Sequence, residues 1–302
     1  MKAAVFDRFG PPDVLRLAEL PDPEPGPGQV RVRVHAAGVQ PFDVGVRRGR
    51  FAPVPVRFPQ QVGQEYSGVV DKLGEGVTGT GVAVGSAVLG STMMNGHATH
   101  VVVDAAQVVP KPPELDFATA AALVAAAQTA SGALRELAVG EGDVLLVHAA
   151  AGSVGTLATQ LARRAGASVI GTASEANHAY LRELGAVPVA YGPGLVADVR
   201  AIGPVTVALD AAGGEAIAQS VALGIARDRI GTIVDDKAAA EHGTRVVRPA
   251  RSSVRLAEVV GLAAQGLVTM PVRAYPLAEV ARAHAAVESR HGRGKVVLIV
   301  NP

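Results

Sequence analysis

From Asp143 onward the chain alternates short apolar runs with amphipathic stretches: VLLVHA then SVGTLATQLARRAG, SVIGTA then EANHAYLRELG, VPVAY, VTVALDA then GEAIAQSVAL, and RIGTIVD. An apolar run too short for a buried helix, followed each time by a helix-period stretch, is the pattern of strands that pair in parallel, because each helix carries the chain back across the sheet. Such crossovers are right-handed, so the segment predicts a doubly wound α/β layer.

The rest of the chain has a different texture. QVRVRVHAAGV (29–39) alternates with period two, and YSGVVDKLG and HATHVVVDAAQVVP read as further strands separated by turn residues. Residues 1–117 are therefore expected to form an irregular, mostly β domain. FATAAALVAAAQTASGALRELAVGEGD then reads as a small-residue helix stopped by Gly140 and Gly142, which opens a second domain over 118–250. The segment 251–302 holds two helix-like stretches and the strand KVVLIV, and is expected to return to the first domain.

Composition excludes several function classes. The formal net charge is +1, from 28 basic and 27 acidic residues spread along the chain, so no nucleic acid or membrane surface is an expected partner. No Cys is present, which removes disulfides, thiolate catalysis and thiolate metal sites. The apolar stretches read as interrupted before the roughly 18 residues a bilayer span needs, and MKAAVFDRFGPP lacks a long apolar signal core. The expected location is the cytoplasm.

The segment beginning at Ala149 carries the spacing Ala149, Gly152, Gly155, a dinucleotide fingerprint with Ala in place of its first Gly. Small residues, Ala150 among them, make the tight turn. Gly152 lets the backbone approach a pyrophosphate, and Gly155 lets the helix pack closely on the strand. The amides of Ser153 and Val154 open the following helix and would donate to phosphate oxygens with the helix dipole behind them. The next strand ends at Ser174, where NAD enzymes place an acidic residue; a neutral hydroxyl favours NADPH. Glu175 competes with this reading, because a shift of one residue would put a carboxylate near the ribose. His178 stands either as a second polar contact there or as an ordinary helix histidine.

Beyond the turn, FGPPDVLRL, VHAAGVQPFDVGVRRG, GQEYSGVVDKLGEGV, AAALVAAAQTASGAL, VLLVHAAAGSVGTLATQLA, GTASEANHAYLRELGA, LDAAGG and HGRGKVVLIV together resemble the medium-chain dehydrogenase/reductase superfamily, in its zinc-independent quinone oxidoreductase and enone reductase branch. The resemblance implies a GroES-like β domain built from both chain ends, a Rossmann domain, an active site in the cleft between them, and a homodimer. It also implies no catalytic zinc. Gln40 and Gln64 stand where zinc-dependent members carry Cys and His, and the remaining candidates Glu65, His97 and His100 fall short of a tetrahedral ligand set.

The same resemblance implies that the cofactor carries the hard step and the protein aligns a conjugated acceptor. Gln40 matches an Asn that lines the site in relatives, and its amide could donate to the oxygen where charge develops. Asp43 follows in the motif, as a site residue or as the holder of the loop. Gly45 and Ser131 replace tyrosines common in the branch, which leaves water, His97 and Arg47 open as proton donors. Thr129 matches a residue near the nicotinamide ribose, or packs its helix. Tyr191 and Arg290 match groups near the 2′-phosphate, or lie on the surface. Lys295 sits where the chain re-enters the cofactor cleft. Asp210 closes the strand VTVALD at the sheet edge where ligands bind in such folds.

The expected function is NADPH-dependent hydride transfer to a quinone or an α,β-unsaturated carbonyl. A specialised biosynthetic enoyl reductase and a non-catalytic NADPH-binding sensor or structural protein are the alternatives.

Overall fold

The computed structural model describes residues 1–50, 55–77, 79, 81–290 and 292–300. They divide into two units: Met1–Ala125 with Leu256–Pro302, and Ala126–Arg255.

The first unit begins with β1 (Lys2–Phe6) and β2 (Leu15–Glu19), an antiparallel pair. β3 (Gln29–Val39) follows the period-two pattern closely: Val30, Val32 and Val34 are buried while Arg31 and Arg33 lie on the other face. Helix α1 (Pro41–Arg47) leaves β3 directly, with Pro41 in its first turn and Gln40 as its N-cap. Next come β4 (Gln60–Gln61), β5 (Glu65–Leu73), β6 (Ala87–Ser91), β7 (His100–Asp104) and β8 (Val109–Pro110). The long strand β3 is the hub, antiparallel to both β5 and β7, with register shifts against β5 that bend it.

Helix α2 (Phe117–Glu136) corrects one sequence expectation. It runs 20 residues with a mean hydropathy of 1.4 over its apolar window, so by length and composition it could cross a bilayer. Gly132 does not interrupt it, and the first charge is Arg135. Two-thirds of that window (67%) is buried inside the protein, as in the core helix of a globular fold.

The second unit is the predicted α/β layer. Its strands are β9 (Val144–His148), β10 (Ser168–Ala173), β11 (Val187–Ala190), β12 (Val207–Asp210), β13 (Ile230–Thr232) and β14 (Arg245–Val246). Its helices are α3 (Ser153–Arg164), α4 (His178–Glu183), α5 (Leu195–Ile202), α6 (Ala216–Ala222) and α7 (Asp236–His242). The strand order β11-β10-β9-β12-β13-β14 is all parallel. The order reverses between β9 and β12, which makes a topological switch point at their carboxyl ends. Leu146, Ile170, Ala208, Ile217 and Ile230 form the core between the sheet and its helices.

The C-terminal stretch supplies α8 (Ser253–Ala264), β15 (Val272–Pro276), α9 (Val280–Glu288) and β16 (Lys295–Ile299). β15 was not legible in the sequence, because VRAYP lacks alternation and ends in Pro. β16 pairs antiparallel with β3, Val297 opposite Gly38, and β15 adds to β16 in parallel. The first unit is therefore closed by residues from both chain ends, which is the GroES-like arrangement, and the second unit is Rossmann-like.

Candidate functional site

In the second unit, the predicted residues gather at one edge of the parallel sheet. The turn after β9 is tight: Gly152 N donates to Ala149 O at 3.0 Å, and Ala150 N to Thr172 O at 2.9 Å. Ala149 holds φ +58°, the left-handed conformation for which Gly is the usual residue. Gly155 is forced by packing, since a Cβ there would lie 2.6 Å from Ala150 Cα. Gly152 is different: an added Cβ would meet only Ala149 O, at 3.3 Å. Packing against the protein therefore constrains Gly152 far less than Gly155.

Gly152 is also the N-cap of α3 and supplies no side-chain cap. Intrahelical bonding starts with Thr156 N to Gly152 O at 2.8 Å, so the amides of Ser153, Val154 and Gly155 precede the ladder. Three uncapped amides at the positive end of a twelve-residue helix are the chemistry that holds a phosphate.

Neighbouring strand ends complete this edge. Ser174 follows β10, and Asn177 Nδ2 donates to its hydroxyl at 3.2 Å; Glu175 is exposed. His178 opens α4, half-buried, its Nε2 enclosed without a hydrogen-bond partner among the described residues. Asp210 lies opposite His148 across the β9–β12 pair. Its Oδ1 accepts from Ala212 N and Gly213 N, both at 2.8 Å, and its Oδ2 accepts from Thr232 Oγ1 at 2.7 Å. One oxygen of this carboxylate shapes the AAGG turn and the other ties β12 to the end of β13, so it organises the edge. Tyr191 follows β11 and is 60% exposed. Thr129 lies half-buried midway along α2.

The other predicted residues lie in the first unit. Gln40 caps α1, and Asp43 Oδ2 accepts from Gln40 N at 2.9 Å, which makes Asp43 the holder of this loop. Gln40 Nε2 donates to Gln64 Oε1 at 3.4 Å. Glu65 is fully buried, accepting from Ala125 N at 2.7 Å and pairing with Lys295 Nζ. Lys295, which the resemblance places where the chain re-enters the cofactor cleft, has its ammonium engaged by Glu65. Arg290 stands apart, exposed after α9 with φ +55°.

His97, a candidate zinc ligand and proton donor in the sequence, is fully buried in the loop before β7. Its Nε2 donates to Gly38 O at 3.0 Å, and burial, aided by the Lys295 charge, pushes its pKa down to about 4. Arg47 is likewise fully buried, bonded to Glu288 Oε2 at 2.9 Å. Sequence reasoning missed Glu288 and His284. The Glu65–Lys295 pair joins residues 230 apart and leaves no local signal.

These donors do not fit a zinc ion. The two amides at the zinc-ligand positions are neutral and bonded to each other, and the adjacent carboxylate already faces an ammonium. Among the described residues, no three His, Asp or Glu side chains cluster as a metal site.

Comparison with known proteins agrees with this architecture. Residues 26–143 match the alcohol dehydrogenase GroES-like domain, and residues 184–298 match the zinc-binding dehydrogenase family. Human quinone oxidoreductase is 33% identical over 176 residues, 57% of this chain; the chain spans about half (53%) of that relative's length. The solved quinone oxidoreductase of Coxiella burnetii is 32% identical, with a TM-score of 0.90 over 100% of this chain and 99% of the other. An NAD-dependent alcohol dehydrogenase superimposes with a TM-score of 0.88 at 30% identity, over 100% of both chains. The Escherichia coli quinone oxidoreductase complexed with NADPH does so at 26% identity and 0.88, over 99% and 100%. The chain belongs to the medium-chain dehydrogenase/reductase superfamily, in its quinone oxidoreductase branch.

Proposed function

We propose that the protein is a metal-free, NADPH-dependent oxidoreductase that reduces a quinone or an α,β-unsaturated carbonyl. The observation that carries this reading is the Gln40–Gln64 amide pair, which stands where a Lewis acid would be held and offers hydrogen bonding in its place. Without a metal to polarise an alcohol or an isolated carbonyl, the compatible acceptor is one already electrophilic through conjugation.

The uncapped amides of Ser153, Val154 and Gly155 would hold the pyrophosphate of a nicotinamide dinucleotide. Ser174, Asn177 and His178 would take its 2′-phosphate; among the described residues no carboxylate is bonded to Ser174, and the E. coli relative with NADPH supports this assignment. The reduced nicotinamide, when bound, supplies the hydride. Gln64 Oε1 engages one N–H of Gln40, which leaves the second to donate to the acceptor oxygen as negative charge develops there.

Stopped-flow loss of nicotinamide absorbance against a panel of quinones and enals tests the proposal, with NADH run beside NADPH. Turnover with at least one class is expected, faster with NADPH. Bound NADPH with no turnover of either class would overturn it. Gln40→Ala is expected to lower kcat by about 100-fold, the scale of one lost oxyanion donor, while the NADPH dissociation constant stays unchanged.

A further inference from the structure

Two helix faces of the first unit meet in a buried polar seam. Asp43 and Arg47 lie four residues apart on α1, and His284 and Glu288 four apart on α9, so each pair shares one face of its helix. The faces join through Arg47 Nη2, which donates to Glu288 Oε2 at 2.9 Å. His97 sits against His284 edge to face, with ring centroids 5.5 Å apart at 89°. Asp43, Arg47, His97 and His284 are all fully buried, whereas Glu288 is 22% exposed and also binds Arg48 at the surface.

The protein does not satisfy this seam by itself. Arg47 Nε and Nη1, His97 Nδ1 and both ring nitrogens of His284 are enclosed with no protein hydrogen-bond partner among the described residues. Five such atoms on three adjacent side chains are far from the ordinary state of a folded interior, where buried polar groups find partners. Each carries a desolvation cost that a hydrogen-bonding ligand in the seam would offset.

The chemistry of these atoms selects the ligand. His97 Nε2 faces a carbonyl oxygen, so it carries the proton and Nδ1 is a pure acceptor. Burial, with His97 and Arg47 nearby, holds the His284 pKa well below the usual value. His284 is therefore neutral and offers one N–H and one lone pair, while Arg47 adds only N–H donors. An anion could answer the donors but would leave both imidazole lone pairs empty, and a cation the reverse. The surrounding charges also balance: Arg47, Arg48 and Lys295 against Asp43, Glu65 and Glu288. A neutral ligand that both donates and accepts is required, and water is the smallest.

We propose that Arg47, His97 and His284 enclose an internal hydration site of about two ordered waters, enough to match the donors of Arg47 and His284 and reach both acceptor nitrogens. The waters complete a hydrogen-bonded chain from Glu288, at the surface, to His97. The seam runs along the helix that Gln40 caps, and it lets a polar face be buried behind that residue. The inference stands on the first unit alone and does not depend on the proposed reaction.

The sign of one thermal shift tests it. His284→Leu, close in size, deletes both orphaned nitrogens. With bound waters, leucine strips them of partners, and the melting temperature is expected to fall by about 2–4 °C. In a dry seam the same change removes two unsatisfied groups, and a rise in melting temperature would overturn the proposal. Should the variant not fold, high-resolution diffraction from the whole wild-type chain decides. Water density within hydrogen-bond distance of Arg47 Nε and a His284 nitrogen supports the site, and an empty seam refutes it. Adding chloride at constant ionic strength should leave the melting temperature unchanged; stabilisation by chloride would mark an anion site and also refute it.

Discussion

Ala149 shows how much a single backbone position can store. The turn after β9 needs a left-handed residue, and a non-Gly side chain there costs roughly 1–2 kcal/mol. Ala149→Gly relieves that strain but adds freedom to the unfolded chain, so a net stabilisation of about 0.5–1 kcal/mol is expected. The urea midpoint measures it, and an unchanged midpoint would show the strain to be absent. Lys295 presents the opposite case, a residue whose removal leaves a charge behind. Lys295→Met deprives the fully buried Glu65 carboxylate of its cation, with an expected cost of about 3–5 kcal/mol. Adding Glu65→Gln should return much of that loss, since the amide oxygen can still accept from Ala125 N. Equal destabilisation in the single and double variants would contradict a paired charge.

At the scale of elements, α3 and β9 separate packing from binding. A Cβ on Gly155 would press on the backbone of Ala149 and Ala150, so Gly155→Ala must push α3 off its strand, at an expected cost of about 1–3 kcal/mol. Gly152→Ala meets one carbonyl oxygen at 3.3 Å and should leave the urea midpoint within about 0.5 kcal/mol of wild type. On the proposed function, NADPH affinity, read by fluorescence titration, should nevertheless fall in the Gly152 variant, because the methyl group would intrude on the proposed pyrophosphate seat. If binding instead tracked stability across both variants, Gly152 would be only a packing residue.

For the molecule as a whole, buried histidines set an acid limit. Burial lowers His97 and His148 to about 4 and His284 well below the usual value, although Asp210 pulls His148 the other way. In the unfolded chain each titrates near 6.5. Between these values the unfolded state binds more protons than the folded one, so stability is complete above about pH 6.5 and drains away as pH falls towards 4. His97 and His148 each contribute up to roughly 3 kcal/mol over that window, an upper limit because bound water lessens the desolvation, and His284 acts in the same direction. Melting temperatures measured from pH 7 to 4 should therefore fall before the bulk of the carboxylates protonate, and a flat profile down to pH 5 would contradict the burial.

The order of strands and helices after Asp143 was readable because hydrophobic periodicity is local: each run declares its element, and short crossovers leave one parallel topology. The same holds for the cofactor turn, whose constraints all fall within the seven residues 149–155. Partnership across the chain is another matter. Nothing near Lys295 announces Glu65, nothing near His97 announces His284, and the strand Val272–Pro276 exists because β16 offers it an edge. Local sequence determined the backbone elements and the tight turn at 149–155, since steric and periodic rules act over a few residues. Only the tertiary structure decided which buried charges and imidazoles meet, because desolvation takes effect once distant segments close around them.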